Sequence, residues 1–458
     1  MNSEKKQATC KYRKQRTPIQ LSEHFGYKKL LRFSFPTIVM MIFTSVYSIV
    51  DGFFVSNFAG KTPFAAVNFI MPFLIILGSV GFMFGTGGGA LIAKTMGEGK
   101  TKRANELFSL MVYASIVCGI VIMILGMLIL RPIAIRMGGS GKLLENSVFY
   151  GRIILVALPF YILQFLFQCL FATAEKPKLG LYVTIASGAA NMVLDALFVA
   201  GFRWGLAGAA AATAFSQFIG GIVPIIYFGR KNNSRLQLIK CKFDGRALIK
   251  ASTNGSSEFI NQISASIVGI LYNVQLMKYA GENGIAAYGV VMYVSMIFQA
   301  IFIGYTLGCA PVISYHYGAR NHEELKNLRK KSTCVIGIFA VLMLIAGQVL
   351  ARPFSLAFVS YDAKLLALTV HAFTIFSFSF LPSGFVIFAS SFFTALNDGL
   401  TSAIISSSRT LAFQCIMVMV FPLLWGSDGI WWSVVAAETM AVVVAALFLV
   451  GKRQKYQY

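Results

Sequence analysis

FPTIVMMIFTSVYSIVDGFFVSNFAG, residues 35–60, carries one charged side chain, Asp51, in 26 positions. As a helix rising 1.5 Å per residue it would run about 39 Å, enough to cross a hydrocarbon core of roughly 30 Å. Similar apolar stretches run near 30–55, 64–93, 105–130, 149–174, 179–201, 205–229, 249–278, 285–315, 332–351, 367–395, 400–424 and 429–450. The expectation is an all-α polytopic membrane protein of about twelve spans. Composition agrees: 57% of the 458 residues are hydrophobic, mean hydropathy is +0.71, and only 12% are charged, against roughly 25% in an ordinary soluble domain. A transmembrane barrel would alternate polar and apolar residues, and these runs do not.

The net charge of +23 would suit a nucleic-acid binder, but the 40 Lys and Arg are sorted by loop. With the N-terminus inside, 30 fall on one side and 8 on the other, with Arg152 and Arg409 inside spans. The positive-inside rule then makes both termini cytoplasmic in a plasma membrane, and anionic lipid explains the charge without nucleic acid. The N-terminus lacks an apolar segment followed by a small-residue cleavage site, so no signal peptide is expected. The seven Cys form no paired framework and read as reduced packing residues.

Laid on itself at an offset of 221, the chain aligns Ala59-Gly60 with Ala280-Gly281, Met71 with Met292, Gly87 with Gly308 and Gly97 with Gly318. The register slips by two for Leu158-Pro159 against Leu381-Pro382 and returns for Trp204-Gly205 against Trp425-Gly426. Six spans per repeat leave both copies in one orientation, which predicts two six-helix lobes related by a pseudo-two-fold axis along the membrane normal, with a cavity between them. The expected division is a tail at 1–29, an N-lobe at 30–229, a linker at 230–250, a C-lobe at 251–450 and a tail at 451–458. Two fused lobes complete a cavity without a second chain, so a monomer is expected.

Carboxylates inside a bilayer cost about 2.5–3.5 kcal/mol on insertion scales and are functional candidates by default. Asp51, Asp195, Glu258 and Glu438 qualify. Asp51 lies 19 residues past Arg32 and Asp195 lies 17 past Lys178, depths of about 28 and 26 Å from the cytoplasmic end, so the two can meet in the outer half of the first lobe. Asn191 sits one turn before Asp195 and Tyr47 one turn before Asp51; Thr213 and Gln217 make a similar pair. Close carboxylates in low dielectric do not both ionise unless a cation is bound. The oxygens of Asp51, Asn191, Asp195 and Thr213 would suit H⁺ or a hard cation such as Na⁺.

Glu258 belongs to the inner half of the second lobe. Its repeat counterpart is Thr37, and that of Asp51 is Tyr272, so the lobes differ in role. Glu258, and Glu438 with its counterpart Gln217, are candidates either to contact a substrate cation or to bond between helices. Gln164, Gln168, Asn261, Gln262 and Asn273 are weaker cavity candidates for which interhelical hydrogen bonding is the plainer reading, and Tyr47 and Tyr150 are candidates for an aromatic lining. GTGGG at 85–89 has no phosphate-loop tail and reads as close helix packing. His24, His316, His322 and His371 have no metal-ligand spacing. No nucleophile has a paired base, so an enzyme is not expected, and no cofactor is implied.

The motifs FPTIVMMIFTSVYSIVDGFFVSNFAG, AAVNFIMPF (65–73), GGGALIAKTMGEGK (87–100), NMVLDALFV (191–199), IAAYGVVMYV (285–294) and ISYHYGARN (313–321) are similar to those of bacterial members of the multidrug and toxic compound extrusion family, from about Leu30 to Lys452. The resemblance implies a V-shaped pair of bundles, alternating access, and export of cationic amphipathic drugs or toxins in exchange for Na⁺ or H⁺. In the branch with a first-lobe ion site, the family's ligands match Asp51, Asn191, Asp195 and Thr213. Another branch uses carboxylates of the seventh and tenth helices, and 367–395 holds no Asp or Glu. The alternative is a flippase for a lipid-linked precursor, which would need cationic residues lining the cavity.

Overall fold

The computed structural model describes residues 19–360 and 362–458, so Cys10 and most of the expected N-terminal tail lie outside the described residues. Every regular element among the described residues is helical: α1 (Tyr27–Phe54), α2 (Lys61–Gly78), α3 (Val80–Gly97), α4 (Thr101–Arg136), α5 (Gly141–Thr173), α6 (Pro177–Asp195), α7 (Gly205–Gly229), α8 (Gly245–Gly318), α9 (His322–Val359), α10 (Ala363–Ser377), α11 (Phe380–Ala395), α12 (Gly399–Ser407), α13 (Gln414–Gly451) and α14 (Arg453–Tyr456). Wide π-helical turns at Val55–Ala59, Ala196–Gly201 and Ser408–Phe413 follow α1, α6 and α12.

Among these residues nine helical runs are long and apolar enough to cross a membrane, and α10 with α11, bent by 47°, makes a tenth. The 74 residues of α8 would be about 111 Å long if straight. Instead Gly281, at φ 64° and ψ −157°, folds the run back on itself, and Gly426, at φ 59°, does the same in α13. Divided at these two glycines, the described residues give twelve candidate spans. The apolar runs of the sequence leave short loops at both points, where the structure has a single break in a helical run. One glycine suffices because without a Cβ it enters a left-handed conformation in a single residue. The same device occurs 221 residues earlier, at Gly60 (φ 102°) and Gly205 (φ 53°), so the repeat read from the sequence is also a repeat of backbone breaks.

Helix α8 starts inside the expected linker because Asp244 accepts a hydrogen bond from the Ala247 N–H and caps it. The final residues are packed rather than loose: Tyr456 and Tyr458 are buried, Tyr456 donates to Asp398, and Tyr458 meets Phe392 edge-to-face.

The two halves meet where α1 and α3 pack on α8, and glycine sets the approach. A Cβ on Gly87 would lie 2.0 Å from the Ala251 carbonyl oxygen, one on Gly255 1.9 Å from that of Met83, one on Gly97 2.0 Å from that of Tyr315, and one on Gly318 2.0 Å from that of Lys94. These contacts close the half of the bundle nearer the Lys- and Arg-rich loops. A strap of residues before α1 crosses the same end. The Leu21 N–H donates to Glu175 of the first half (2.8 Å), while the Phe25 N–H (2.9 Å) and His24 (2.6 Å) bond to Glu324 of the second. The strap's Leu21 and Phe25 are fully buried.

Candidate functional site: a cluster of unpartnered oxygens in the first lobe

Helix α1 delivers Asp51, α6 delivers Asn191 and Asp195, and α7 delivers Thr213. Close approach of α1 and α6 is possible because position 188 is glycine: a Cβ there would strike the rings of Phe43 at 2.6 Å and Tyr47 at 2.9 Å. The Asp51 and Asp195 carboxyls then lie close enough to interact. Asp195 and Asn191 are buried, at 0% and 1% exposure. Asp51 Oδ1, Asn191 Oδ1, both Asp195 oxygens and Thr213 Oγ1 are shielded from solvent, and no protein group is hydrogen-bonded to any of them.

Burying polar oxygen without a partner costs free energy, the more so for a carboxylate. Five such atoms on three adjacent helices are therefore either a set of cation ligands or a place where protons sit. A hard cation ligated by carboxylate, amide and hydroxyl oxygen fits this donor set, and so does a proton shared between the two carboxyls. No group of three or more His, Cys, Asp or Glu suited to a softer metal occurs among the described residues. Tyr150, fully buried on α5, faces Thr213 and lies near both carboxyls, and Tyr47 sits between Asp51 and Gln164.

The π turns begin at Val55 and Ala196, just past Asp51 and immediately after Asp195. Such turns are common at functional sites because they change which side chains a helix aims at its neighbours. Their position was not legible in the sequence.

The second lobe is built differently. Tyr272, the counterpart of Asp51, donates its hydroxyl to Gln414 at 2.9 Å, meets Ser433 at 2.8 Å and stacks on Tyr288. Its polar atoms are partnered, so nothing there asks for an ion. Nearer the inner half, Glu258 lies beside Asn261 and Arg409 and faces Cys169 of the first lobe. Asn261 accepts from Thr410 at 3.3 Å. Glu438 is held in an ion pair: Arg409 donates its Nε–H to both carboxylate oxygens at 2.8 and 2.9 Å, with side chains 12% and 5% exposed. Sequence reasoning saw both residues and missed the pairing; an arginine inside a span was the available signal, since it needs a carboxylate.

Gln164 lies against Gly220. Gln168 is buried with both amide atoms unpartnered, and the Gln217 carbonyl oxygen is also unpartnered. Gln262 is half-buried and Asn273 is exposed, apart from the first-lobe cluster. Of the glycines at 85–89, Gly87 makes the inter-lobe contact above and Gly88 packs on Met111.

Comparison with known proteins bears on the family and the fold. The family model described as MatE matches twice, over residues 36–197 and 259–420. The multidrug export protein MepA of Staphylococcus haemolyticus is 24% identical over 433 residues, 94% of each chain, and that of Staphylococcus aureus strain N315 is 24% identical over 92% of this chain and 93% of its own. Among solved structures, a multidrug resistance MATE family transporter in an outward-facing conformation superposes with a TM-score of 0.90 at 21% identity, covering 96% of this chain and 99% of that one. A transporter of the MOP superfamily from Pyrococcus furiosus, described as having a binding pocket of reversed polarity, gives 0.89 at 20%, covering 96% and 98%.

Proposed function

Because the chain belongs to the MatE family, we propose that it is a multidrug efflux transporter that exports cationic amphipathic compounds by antiport with Na⁺ or H⁺ at Asp51, Asn191, Asp195 and Thr213. The observation that carries the reading is the set of buried, unpartnered oxygens on those four residues. Ion binding there would favour one arrangement of the lobes and drug binding the other, and linkage makes the coupling reciprocal. A difference of a few kcal/mol between arrangements is enough to drive alternating access. The basic end faces the cytoplasm of a bacterial plasma membrane, with both termini inside, and one chain is the working unit.

Relatives named multidrug export proteins support the substrate class. The flippase alternative gains nothing: Arg409 is neutralised by Glu438, and Arg152 is exposed on its helix. The test is uptake of a fluorescent lipophilic cation into everted vesicles, whose cytoplasmic face is outside, with Na⁺ and pH gradients clamped separately, for wild type, Asp51→Asn and Asp195→Asn. Wild type is expected to move dye under one gradient, which names the ion, and both variants to lose at least tenfold at equal expression. Normal export by both variants would place coupling elsewhere.

A further inference from the structure

A groove of about 670 Å³ opens on the first lobe, at the end carrying the basic loops, between the start of α6 and the end of α7. Lys176, Arg230 and Lys231 line it together with Asn233, and Val223 and Ile226 form its apolar wall. We propose that this groove binds the phosphate headgroup of an anionic phospholipid, with an acyl chain lying along Val223 and Ile226.

Charge is the first argument. None of the three cations is paired with a carboxylate among the described residues. The nearest acid along the chain, Glu175, is turned away: its side chain is 8% exposed, accepts the Leu21 N–H and approaches Arg235. Local backbone dipoles favour an anion as well. Lys176 is the N-cap of α6 and brings the positive end of that helix to the groove. Several carbonyls at the end of α7, which would repel a phosphate, are covered: the Asn232 amide donates to Tyr227 and Arg230, and the Leu238 N–H donates to Phe228.

The wall decides between a lipid and a free phosphate. Val223 and Ile226 are 41% and 47% exposed on the outer face of a membrane-spanning helix, where acyl chains lie. A soluble anion would gain nothing from them. Basic pockets between spanning helices at this level are suited to anionic headgroups. At about fivefold per cation, three cations give a preference over zwitterionic lipid on the order of a hundredfold.

The experiment uses the purified full chain, with retained lipids counted by native mass spectrometry and unfolding temperature followed in phosphatidylglycerol or phosphatidylcholine. Lys176→Ala/Arg230→Ala/Lys231→Ala is compared with Lys102→Ala/Lys326→Ala/Lys330→Ala, which removes equal charge from exposed positions elsewhere. Wild type should retain phosphatidylglycerol about a hundredfold better than phosphatidylcholine and melt higher with it. The groove variant should lose both effects, and the second variant should keep them. If the triple groove variant fails to fold, the single Lys231→Glu should weaken retention more than tenfold. Equal losses in both triple variants would mean only a diffuse surface field. Equal retention of the two lipids, or displacement of lipid by millimolar inorganic phosphate, would also overturn the assignment.

Discussion

Replacing Gly97 or Gly255 by alanine should pry the lobes apart at the basic end. The added Cβ would sit 2.0 Å from the Tyr315 carbonyl oxygen at position 97, and 1.9 Å from that of Met83 at position 255. Ordinary contact begins near 3.4 Å, so each substitution demands a separation of about 1.4–1.5 Å between helices of opposite lobes. The opposing atoms are backbone and cannot rotate away. Overpacking of this kind costs about 1–3 kcal/mol. Carried by the closed arrangement alone, it shifts the equilibrium toward the arrangement open at that end by about 5- to 150-fold. Spin labels at positions 102 and 326, in a background with native cysteines replaced, would read the separation by pulsed dipolar spectroscopy. The longer distance should gain population and dye efflux should fall. Gly269→Ala is the control, because its Cβ would meet nothing within 4 Å. If both test variants match that control in distance distribution and efflux, backbone contact does not set the seal.

Three further outcomes are expected. Arg409→Leu strands Glu438 as a buried unpaired charge and should cost about 3–5 kcal/mol, lowering the unfolding temperature in detergent; Arg409→Leu/Glu438→Leu should recover most of it, and no recovery would mean that the pair is not the stabilising unit. Glu324→Ala removes the acceptor of both Phe25 N–H and His24, so limited proteolysis within residues 19–26 should speed up several-fold while the helices stay protected. The Asp398 carboxyl, in the loop before α12, is pushed up by burial but held below its ordinary value overall by hydrogen bonds from Lys452, Tyr456 and Thr401. A depressed carboxylate stabilises the fold above its unfolded pKa, near 3.9, and the effect is lost as pH falls through the lower folded value. The gap in unfolding temperature between wild type and Asp398→Asn should therefore be full at pH 6 and shrink below about pH 4; a gap that stays constant would contradict the linkage.

Lipid explains which features could be read in advance. An intramembrane carboxylate is costly wherever its helix points, so Asp51, Asp195, Glu258 and Glu438 stand out by their place within apolar runs. Depth follows from counting residues along a helix, which is why the first two could be matched before any packing was known. Rotation about the helix axis is another matter. Arg409 sits in the π turn at Ser408–Phe413, and each residue added to a turn swings later side chains by about 100°. No count of residues could therefore put its guanidinium on Glu438, 29 positions later. The strap before α1 and the buried Tyr456 and Tyr458 escaped for a related reason: segments this short have no period, and their burial is set by surfaces contributed from distant parts of the chain.

The unequal lobes follow from the same chemistry. The glycine breaks at 60 and 281, and at 205 and 426, preserve the geometry of both copies, while Tyr272 closes in one copy the polar gap that Asp51 leaves open in the other. With the fold kept twice and the proposed ion site kept once, occupancy of a single lobe would bias the arrangement of both.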